Sequence, residues 1–248
     1  MVRRLTPILL LSLYVLPIAT LALLSVAATW EYPQLLPKMQ INLLSRIVSD
    51  GVGWGFLTSL QVALPVAIIS VVLGFLSSYR LLGSRYRSVW LWLALIPFCT
   101  APVILSLEMQ YFFIRFGLTA QRVGVVIGQL LIGIPYATVL FSLFWSADRL
   151  KQEEVARTLG CSRLQIMQHI HIPAAGGILK LVFTQLFLFS WFEYGMTQML
   201  GVGQVQTLPV LIFKSTQEAN LALAAGACLV LILLPVIFII FTRKIAFR

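Results

Sequence analysis

Charged side chains are scarce in this sequence. Only 10% of its 248 residues are Asp, Glu, Lys or Arg, whereas a soluble domain has about 25%. Hydrophobic residues make up 60% of the chain, and the mean hydropathy is +0.96. This composition excludes an ordinary water-soluble globular protein.

Cysteine and histidine are also few, and their spacing excludes a disulfide framework or a clustered metal centre. Cys99, Cys161 and Cys228 lie far apart in the chain, so we expect them to be packing residues. The two histidines, His169 and His171, point to different faces of a helix, and we expect them to face solvent or lipid headgroups. No nucleophile with a neighbouring base can be assembled. The sequence therefore predicts neither catalytic residues nor a metal site.

Long apolar runs are abundant instead, and they recur along the chain at lengths that can cross a bilayer of about 30 Å. The first is too long for the core of a secretory signal, about 7 to 15 residues, so we expect it to be a retained helix. The pattern predicts an all-α polytopic membrane protein with six transmembrane helices. The six segments are about residues 5–28, 57–79, 89–107, 124–145, 178–200 and 221–241.

The basic residues indicate how these helices are oriented. Of the 18 Lys and Arg residues, 13 lie at the N-terminus, in the second connection, in or just after the fourth connection, or in the C-terminal tail. Basic residues are retained on the cytoplasmic side during insertion, so both termini and the fourth connection are predicted to be cytoplasmic. The same placement favours a membrane over nucleic acid as the reason for the net charge of +10.

Two further features are expected at the membrane surface. Residues 31–50 lack a clear apolar run and are predicted to lie outside, with a short interfacial helix around residues 41–48. Amphipathic aromatic rings near span ends prefer the headgroup level and would anchor the helices. Those residues are Trp54, Trp90, Trp92, Trp145 and Tyr79.

The fourth connection, residues 146–177, is far longer than the usual link of about 2 to 8 residues between packed helices. Its apolar residues recur at three- and four-residue spacing, which predicts helices with an apolar ridge exposed to the cytoplasm. An exposed ridge of this kind needs a partner groove. The ridge residues are Val155, Leu159, Leu164, Ile166, Met167 and Ile170.

Local signals divide this connection into two short helices. Asp148 is expected to cap the first, and Gly160 to end it in a left-handed conformation. Ser162 and Gln165 have the spacing of a capping box at the start of the second helix. Pro173 is expected to stop that helix.

The connection also contains a longer pattern: Glu-Val-Ala, three residues, Gly, nine residues, then Ile-His-Ile-Pro, over residues 154–173. This pattern resembles the EAA loop of type I ABC importer permeases, in which a short coupling helix docks on a separate ATPase. The sequence departs from the family form only at Val155, where the family has Ala, and at Ile172, where it has Leu. The ATPase-coupling residues that the resemblance implies are Glu154, Val155, Ala156, Leu159, Gly160, Leu164, Ile170 and Pro173.

The resemblance covers about residues 57–241 and implies a single importer transmembrane domain over residues 1–248. Phe192–Gly195 and Thr207–Pro209 are similar to stretches in importers of oxyanions, ferric iron, thiamine and polyamines. The family implies a multi-pass protein of the bacterial inner membrane. Its implied partners are a cytoplasmic ABC ATPase dimer, a second permease subunit of the same or a different chain, membrane lipid, and a periplasmic or lipid-anchored solute-binding protein.

The sequence lacks the Gly-x-x-x-x-Gly-Lys-Ser/Thr pattern that cradles nucleotide phosphates. We therefore expect no enzyme activity and no cofactor in this chain, with ATP and Mg bound by the partner ATPase. One alternative is a self-sufficient secondary transporter or channel, for which inverted repeats and several intramembrane ionisable residues are typical. Another is an assembly or anchoring subunit without a pathway.

Glu193 is the candidate for the solute pathway, because it lies within the fifth predicted span. An acidic residue at a helix centre costs roughly 2.5 to 3.5 kcal/mol in lipid, so Glu193 is expected to point inward. Gln185, Ser190 and Tyr194 are assigned to the same pathway, with Ser190 nearest to Glu193 around a continuous helix. The alternative is a structural role, in which Glu193 is protonated or hydrogen-bonded to a neighbouring helix or the other subunit.

Overall fold

A computed structural model of the protein describes residues 15–25, 27–29, 38–39 and 51–246. The predicted interfacial helix at residues 41–48 and residues 5–14 and 26 of the first predicted span lie outside these ranges. In the described part of that span, residues 15–25 form a helix, α1 (Val15–Ser25), but residues 27 and 28 are extended and belong to a strand. Two short strands, β1 (Ala27–Thr29) and β2 (Lys38–Met39), pair in antiparallel orientation. The other regular elements described are helical, as predicted.

Ten helices follow these strands within residues 51–246. A 3-10 turn (Ile96–Cys99) continues directly from the helix Arg87–Leu95, and the helix Arg163–Ala174 contains a π-helical turn (Met167–His171). The helices are α2 (Val52–Leu81), α3 (Arg87–Leu95), α4 (Pro102–Arg115), α5 (Arg122–Ser142), α6 (Ala147–Thr158), α7 (Arg163–Ala174), α8 (Gly176–Phe192), α9 (Gly195–Gly201), α10 (Leu208–Gln217) and α11 (Leu221–Ala246).

Among the described residues, α2 and α5 are each long and apolar enough to cross a membrane. If each of two bent helix pairs is counted as one span, the number of candidate spans among the described residues is four. The segment Arg87–Cys99 meets α4 at 97°, and α7 meets α8 at 74°. The described helices thus have the character of membrane spans.

The third predicted span, residues 89–107, is not a single helix. Thr100 and Ala101 adopt extended conformations, with ψ of 145° and 141°, and α4 begins at Pro102. Proline disfavours the helical region for the residue before it, which explains the break. In contrast, α2 and α5 continue through Pro65 and Pro135.

The fifth predicted span, residues 178–200, is also broken. Helix α8 ends at Phe192, Glu193 is extended with ψ of 122°, and helical structure resumes at Gly195. The continuous helix assumed for Glu193 and Ser190 is therefore wrong. Glu193 lies at a junction between two helices.

The chain divides into two compact units. In the unit of residues 60–205, Val66 of α2, Val125 of α5 and Leu200 of α9 belong to one buried apolar cluster. Close backbone approach holds its helices together: a Cβ placed on Gly74 of α2 would lie 2.3 Å from the Cβ of Ala137 in α5. The rigid packing of this unit fixes the elements that carry the candidate sites.

The other unit comprises residues 1–59 and 206–248. Within it, α10 packs against α11. The backbone N–H of Leu208 donates to the Ser59 hydroxyl at 2.8 Å, which joins the start of α10 to α2. Leu208 also packs over Gly55.

Candidate functional site

The connection between α5 and α8 folds into two helices, α6 and α7, joined at Gly160. Gly160 has φ of +85°, the left-handed conformation that was predicted, and Cys161 N–H donates to the Ala156 carbonyl at 3.1 Å. The capping box is also confirmed. Gln165 N–H donates to the Ser162 hydroxyl at 3.3 Å, and Ser162 N–H donates to the Gln165 side chain at 2.8 Å.

Two local predictions need correction. Ser146, not Asp148, precedes α6, and no side-chain capping bond is formed there. Asp148 lies in the first turn, where its charge still favours the positive end of the helix dipole. Pro173 does not stop α7 at once, because the helix runs one residue further to Ala174 before the bend.

A buried cluster centred on Glu153 holds this loop to α2. The Tyr79 hydroxyl donates to Glu153 Oε1 at 2.7 Å, and Arg157 donates to the same oxygen. His171 Nε2 lies 3.2 Å from Glu153 Oε2. The Glu153 and His171 side chains are 8% and 1% exposed. One carboxylate therefore joins α2, α6 and α7.

Aromatic rings enclose this carboxylate cluster. Trp145 stacks edge-on against His171, with ring centroids 5.0 Å apart, and lies 5.3 Å from the Tyr79 ring. Its indole N–H donates to the Ser78 hydroxyl at 3.0 Å. The prediction that His171 faces solvent or headgroups is wrong, and Trp145 is buried instead of exposed as an anchor. The reason is that the loop folds back onto the end of α2.

The electrostatics of the cluster favour an ionised Glu153. Burial alone would raise the pKa of this carboxyl group, but hydrogen bonds from Tyr79, Arg157 and His171 outweigh it. The pKa of Glu153 therefore lies below its usual value of 4.5. The carboxylate is a permanent negative charge at neutral pH, and it holds its donors in place.

The opposite face of the loop presents apolar side chains to the surroundings. Val155, Leu159 and Leu164, here called the coupling ridge, are 60%, 79% and 66% exposed. Glu154, Gly160 and Pro173 are exposed as well, while Ala156 is buried and Ile170 half-buried. The exposed ridge therefore contains fewer residues than predicted. Ile166, for example, belongs to the inner face and is 1% exposed.

The second acidic site lies at the junction of α8 and α9. Glu193 accepts hydrogen bonds from the N–H groups of Met196 at 2.7 Å and Thr197 at 2.9 Å. The Thr197 hydroxyl donates to it at 2.9 Å, and the Gln129 amide lies 3.4 Å away. Ser190 donates to the same Gln129. Glu193 thus stabilises the first turn of α9 and is buried among neutral donors.

A groove of about 620 Å³ opens beside this junction. Gln185, Glu193 and Tyr194 line it, together with Tyr136, whose hydroxyl donates to Gln185 at 3.1 Å. Ser190 is absent from the lining and turns toward Gln129. Three of the four predicted pathway residues are therefore brought together.

Sequence reasoning missed several residues of these two sites. Neither Glu153 nor Gln129 stands out in the sequence, and the predicted position of Tyr79 at the membrane surface does not indicate its hydrogen bond to Glu153. The sequence signals for these residues are weak: Glu153 is a second acid beside Glu154, and Gln129 is an isolated amide within an apolar helix. The cysteines were expected to be packing residues, yet Cys99 and Cys161 are exposed.

Comparison with known proteins supplies the wider context. Residues 70–246 match the family model described as "Binding-protein-dependent transport system inner membrane component". The chain is 26% identical over 204 residues to the Fe(3+)-transport system permease protein FbpB 2 of Haemophilus influenzae, covering 79% of this chain and 37% of that protein. It is 25% identical over 168 residues to the inner membrane ABC transporter permease protein YnjC of Escherichia coli, covering 66% and 32%. The chain thus spans about a third of the length of these two relatives.

A third relative is closer in length. The sulfate transport system permease protein CysW of Synechocystis sp. is 24% identical over 208 residues, which cover 75% of each chain. A chain in the crystal structure of a bacterial ABC transporter involved in the import of the acidic polysaccharide alginate has the same fold. The TM-score is 0.71 at 20% identity, with coverage of 100% of this chain and 97% of that one. Since the family model matches most of its length, the chain belongs to the family of binding-protein-dependent transport system inner membrane components.

Proposed function

We propose that this chain is a permease subunit of an ATP-driven, binding-protein-dependent importer. In this proposal residues 1–248 form one transmembrane domain with six spans, both termini and the α6–α7 loop being cytoplasmic. A second permease subunit completes the solute pathway. A separate ABC ATPase dimer, which binds ATP and Mg, drives the cycle, and a solute-binding protein delivers the cargo.

The observation that carries the proposal is the two-sided construction of the α6–α7 loop. Its inner side is fastened by Glu153, while the coupling ridge leaves Val155, Leu159 and Leu164 largely uncovered. Removing exposed apolar side chains from water in a partner groove lowers the free energy of the complex. A docked ATPase would supply that groove.

The groove beside Glu193 supports a place for the solute. Helix α8 is interrupted there, and interrupted membrane helices are a common way to present polar groups to a transported solute. Gln185, Glu193 and Tyr194 would contact the cargo, and Ser190 would act through Gln129. The candidate solutes are ferric iron, an oxyanion, thiamine or a polyamine, and the names of two relatives, a Fe(3+)-transport and a sulfate transport permease protein, favour the first two.

The proposal is tested by isolating the tagged chain, in nanodiscs, from cells that express it with its cognate transporter subunits. We expect an ABC ATPase to copurify and to hydrolyse ATP. Leu159→Asp places a charge in the coupling ridge and should lower the amount of copurified ATPase by about tenfold, equivalent to 1.4 kcal/mol. Gln204→Asp adds the same charge at an exposed turn after α9 and serves as the control.

Two results would contradict the proposal. One is equal recovery of the ATPase with native chain and Leu159→Asp. The other is ATP hydrolysis or concentrative uptake by the purified chain alone, since its sequence has no phosphate-cradling motif.

A further inference from the structure

We infer that Glu153 is a positioning residue that locks the coupling loop and the cytoplasmic end of α2 into one rigid body. This inference rests on the proposed function, because it assigns the path by which ATPase motion enters the permease. In this arrangement α2 moves with the α6–α7 loop, and the motion is not confined to α8, which follows the loop in the chain.

The first argument is the set of segments that Glu153 joins. Tyr79 lies 74 residues before it, near the end of α2, and His171 lies 18 residues after it, in α7. Arg157 is one turn further along α6. Each of the two carboxylate oxygens is used, so the three helices cannot slide past one another without breaking a charge-assisted hydrogen bond.

The second argument is the burial of the cluster. The His171 and Trp145 side chains are almost entirely enclosed, and Trp145 bonds Ser78 on α2. Aromatic rings packed on a buried, hydrogen-bonded carboxylate exclude water, which would otherwise compete for it. Packed, bonded interfaces of this kind move as units and are not continuously deformable.

The third argument is the contrast between two neighbouring acids. Glu153 is buried and bonded within its own subunit, whereas the carboxylate of Glu154, the acid of the family pattern, is exposed and accepts no hydrogen bond from the described residues. The two neighbouring acids of the loop thus differ in their surroundings. The buried acid holds the loop, and the exposed acid remains available to the ATPase.

The test is a distance measurement between two spin labels in the full chain. One label is placed on native Cys161, at the junction of α6 and α7, and the other on Arg85→Cys, in the turn after α2. Both positions are exposed. Cys99→Ser and Cys228→Ser remove the other two thiols. The chain is measured alone in nanodiscs, and then in complex with the ATPase, without nucleotide and with ATP and vanadate.

For the chain alone we expect one narrow distance distribution. Glu153→Ala should broaden it about twofold or more, since the loop then opens locally from α2. Glu153→Gln keeps one acceptor for Tyr79 and should broaden the distance distribution less. It tests the inference if the alanine variant fails to fold. The matched control, Glu154→Ala, should leave the distribution unchanged.

In the complex we expect the distance to be the same with and without ATP and vanadate. A native distribution that is already broad, or one that Glu153→Ala leaves unaltered, would overturn the inference. So would a nucleotide-dependent change in the native distance. Failure of any ATPase to bind would instead count against the proposed function, while the chain-alone measurement would still decide the role of Glu153.

Discussion

The two buried acidic sites of this protein use a carboxylate in different ways. Glu153 is held by Tyr79, Arg157 and His171, donors from three helices. Glu193 is held mainly by backbone N–H groups three and four residues ahead of it. Glu153 therefore joins segments that are distant in the sequence, and Glu193 stabilises a local break. The comparison shows that burial of an acid alone does not indicate its role; the origin of its donors does.

The largest expected effect is that of Glu153→Ala. It leaves the buried His171 and the half-buried Tyr79 without their shared acceptor, and losing these two hydrogen bonds together costs about 3 kcal/mol. Hydrogen–deuterium exchange of α6 and α7 should accelerate accordingly, while exchange in α9 should not change. Glu154→Ala is the exposed control. Equal exchange in the two variants would remove the distinction between the inner and outer acids.

Glu193→Gln should have a smaller structural effect. The amide keeps one acceptor oxygen but turns an N–H₂ group toward the donors of α9, which costs about 2 kcal/mol for a lost buried hydrogen bond. We expect a lower melting temperature and faster exchange in α9, with binding of the ATPase retained. If the groove is the solute pathway, the rate or selectivity of uptake should change as well. Native transport by the well-assembled variant would eliminate the pathway role.

Gly160→Ala changes the junction of α6 and α7 and leaves both buried acids in place. An added Cβ meets no atom within 4 Å, so the cost comes only from φ of +85° and is about 1 kcal/mol. Gly177→Ala is the matched control, since it also has free space but lies in α8 at an ordinary helical φ. Exchange at the α6–α7 junction should increase only in the first variant. Indistinguishable behaviour of the two variants would show that the left-handed turn is not needed.

The smallest expected effect is the pH dependence of the loop. The pKa of Glu153 is depressed in the folded protein, so its contribution to stability is complete above the usual value of 4.5. It is lost as pH falls through the lower, folded-state pKa. Exchange in α6 should therefore rise as the pH falls below 4.5, and less so in Glu153→Gln. A loss of protection that begins near neutral pH would point to another group.

Much of the loop could be predicted because its signals are local. The capping box of Ser162 and Gln165 and the left-handed turn at Gly160 depend on residues within four positions of each other. The role of Glu153 depends on Tyr79, 74 residues away, and the burial of His171 depends on the rings of Tyr79 and Trp145. Sequence periodicity does not predict such long-range contacts.

The breaks in the helices show the same limit. The one before Pro102 has a local cause in the restriction that proline places on its neighbour, although Pro65 and Pro135 leave their helices intact. The break at Glu193 has no such cause. It is held by Gln129 in α5 and by the donors of α9, so a helix drawn from hydropathy alone passes through it.

Photo-crosslinking from Leu159 tests the central claim most directly. A benzophenone amino acid replaces Leu159 in the coupling ridge, or Phe116 in the turn before α5, which is 73% exposed and predicted to lie on the other side of the membrane. Irradiation of membranes that contain the whole transporter should attach an ABC ATPase at position 159 and none at position 116. Products of position 159 that contain no ATPase, or the same ATPase product from both positions, would contradict the account.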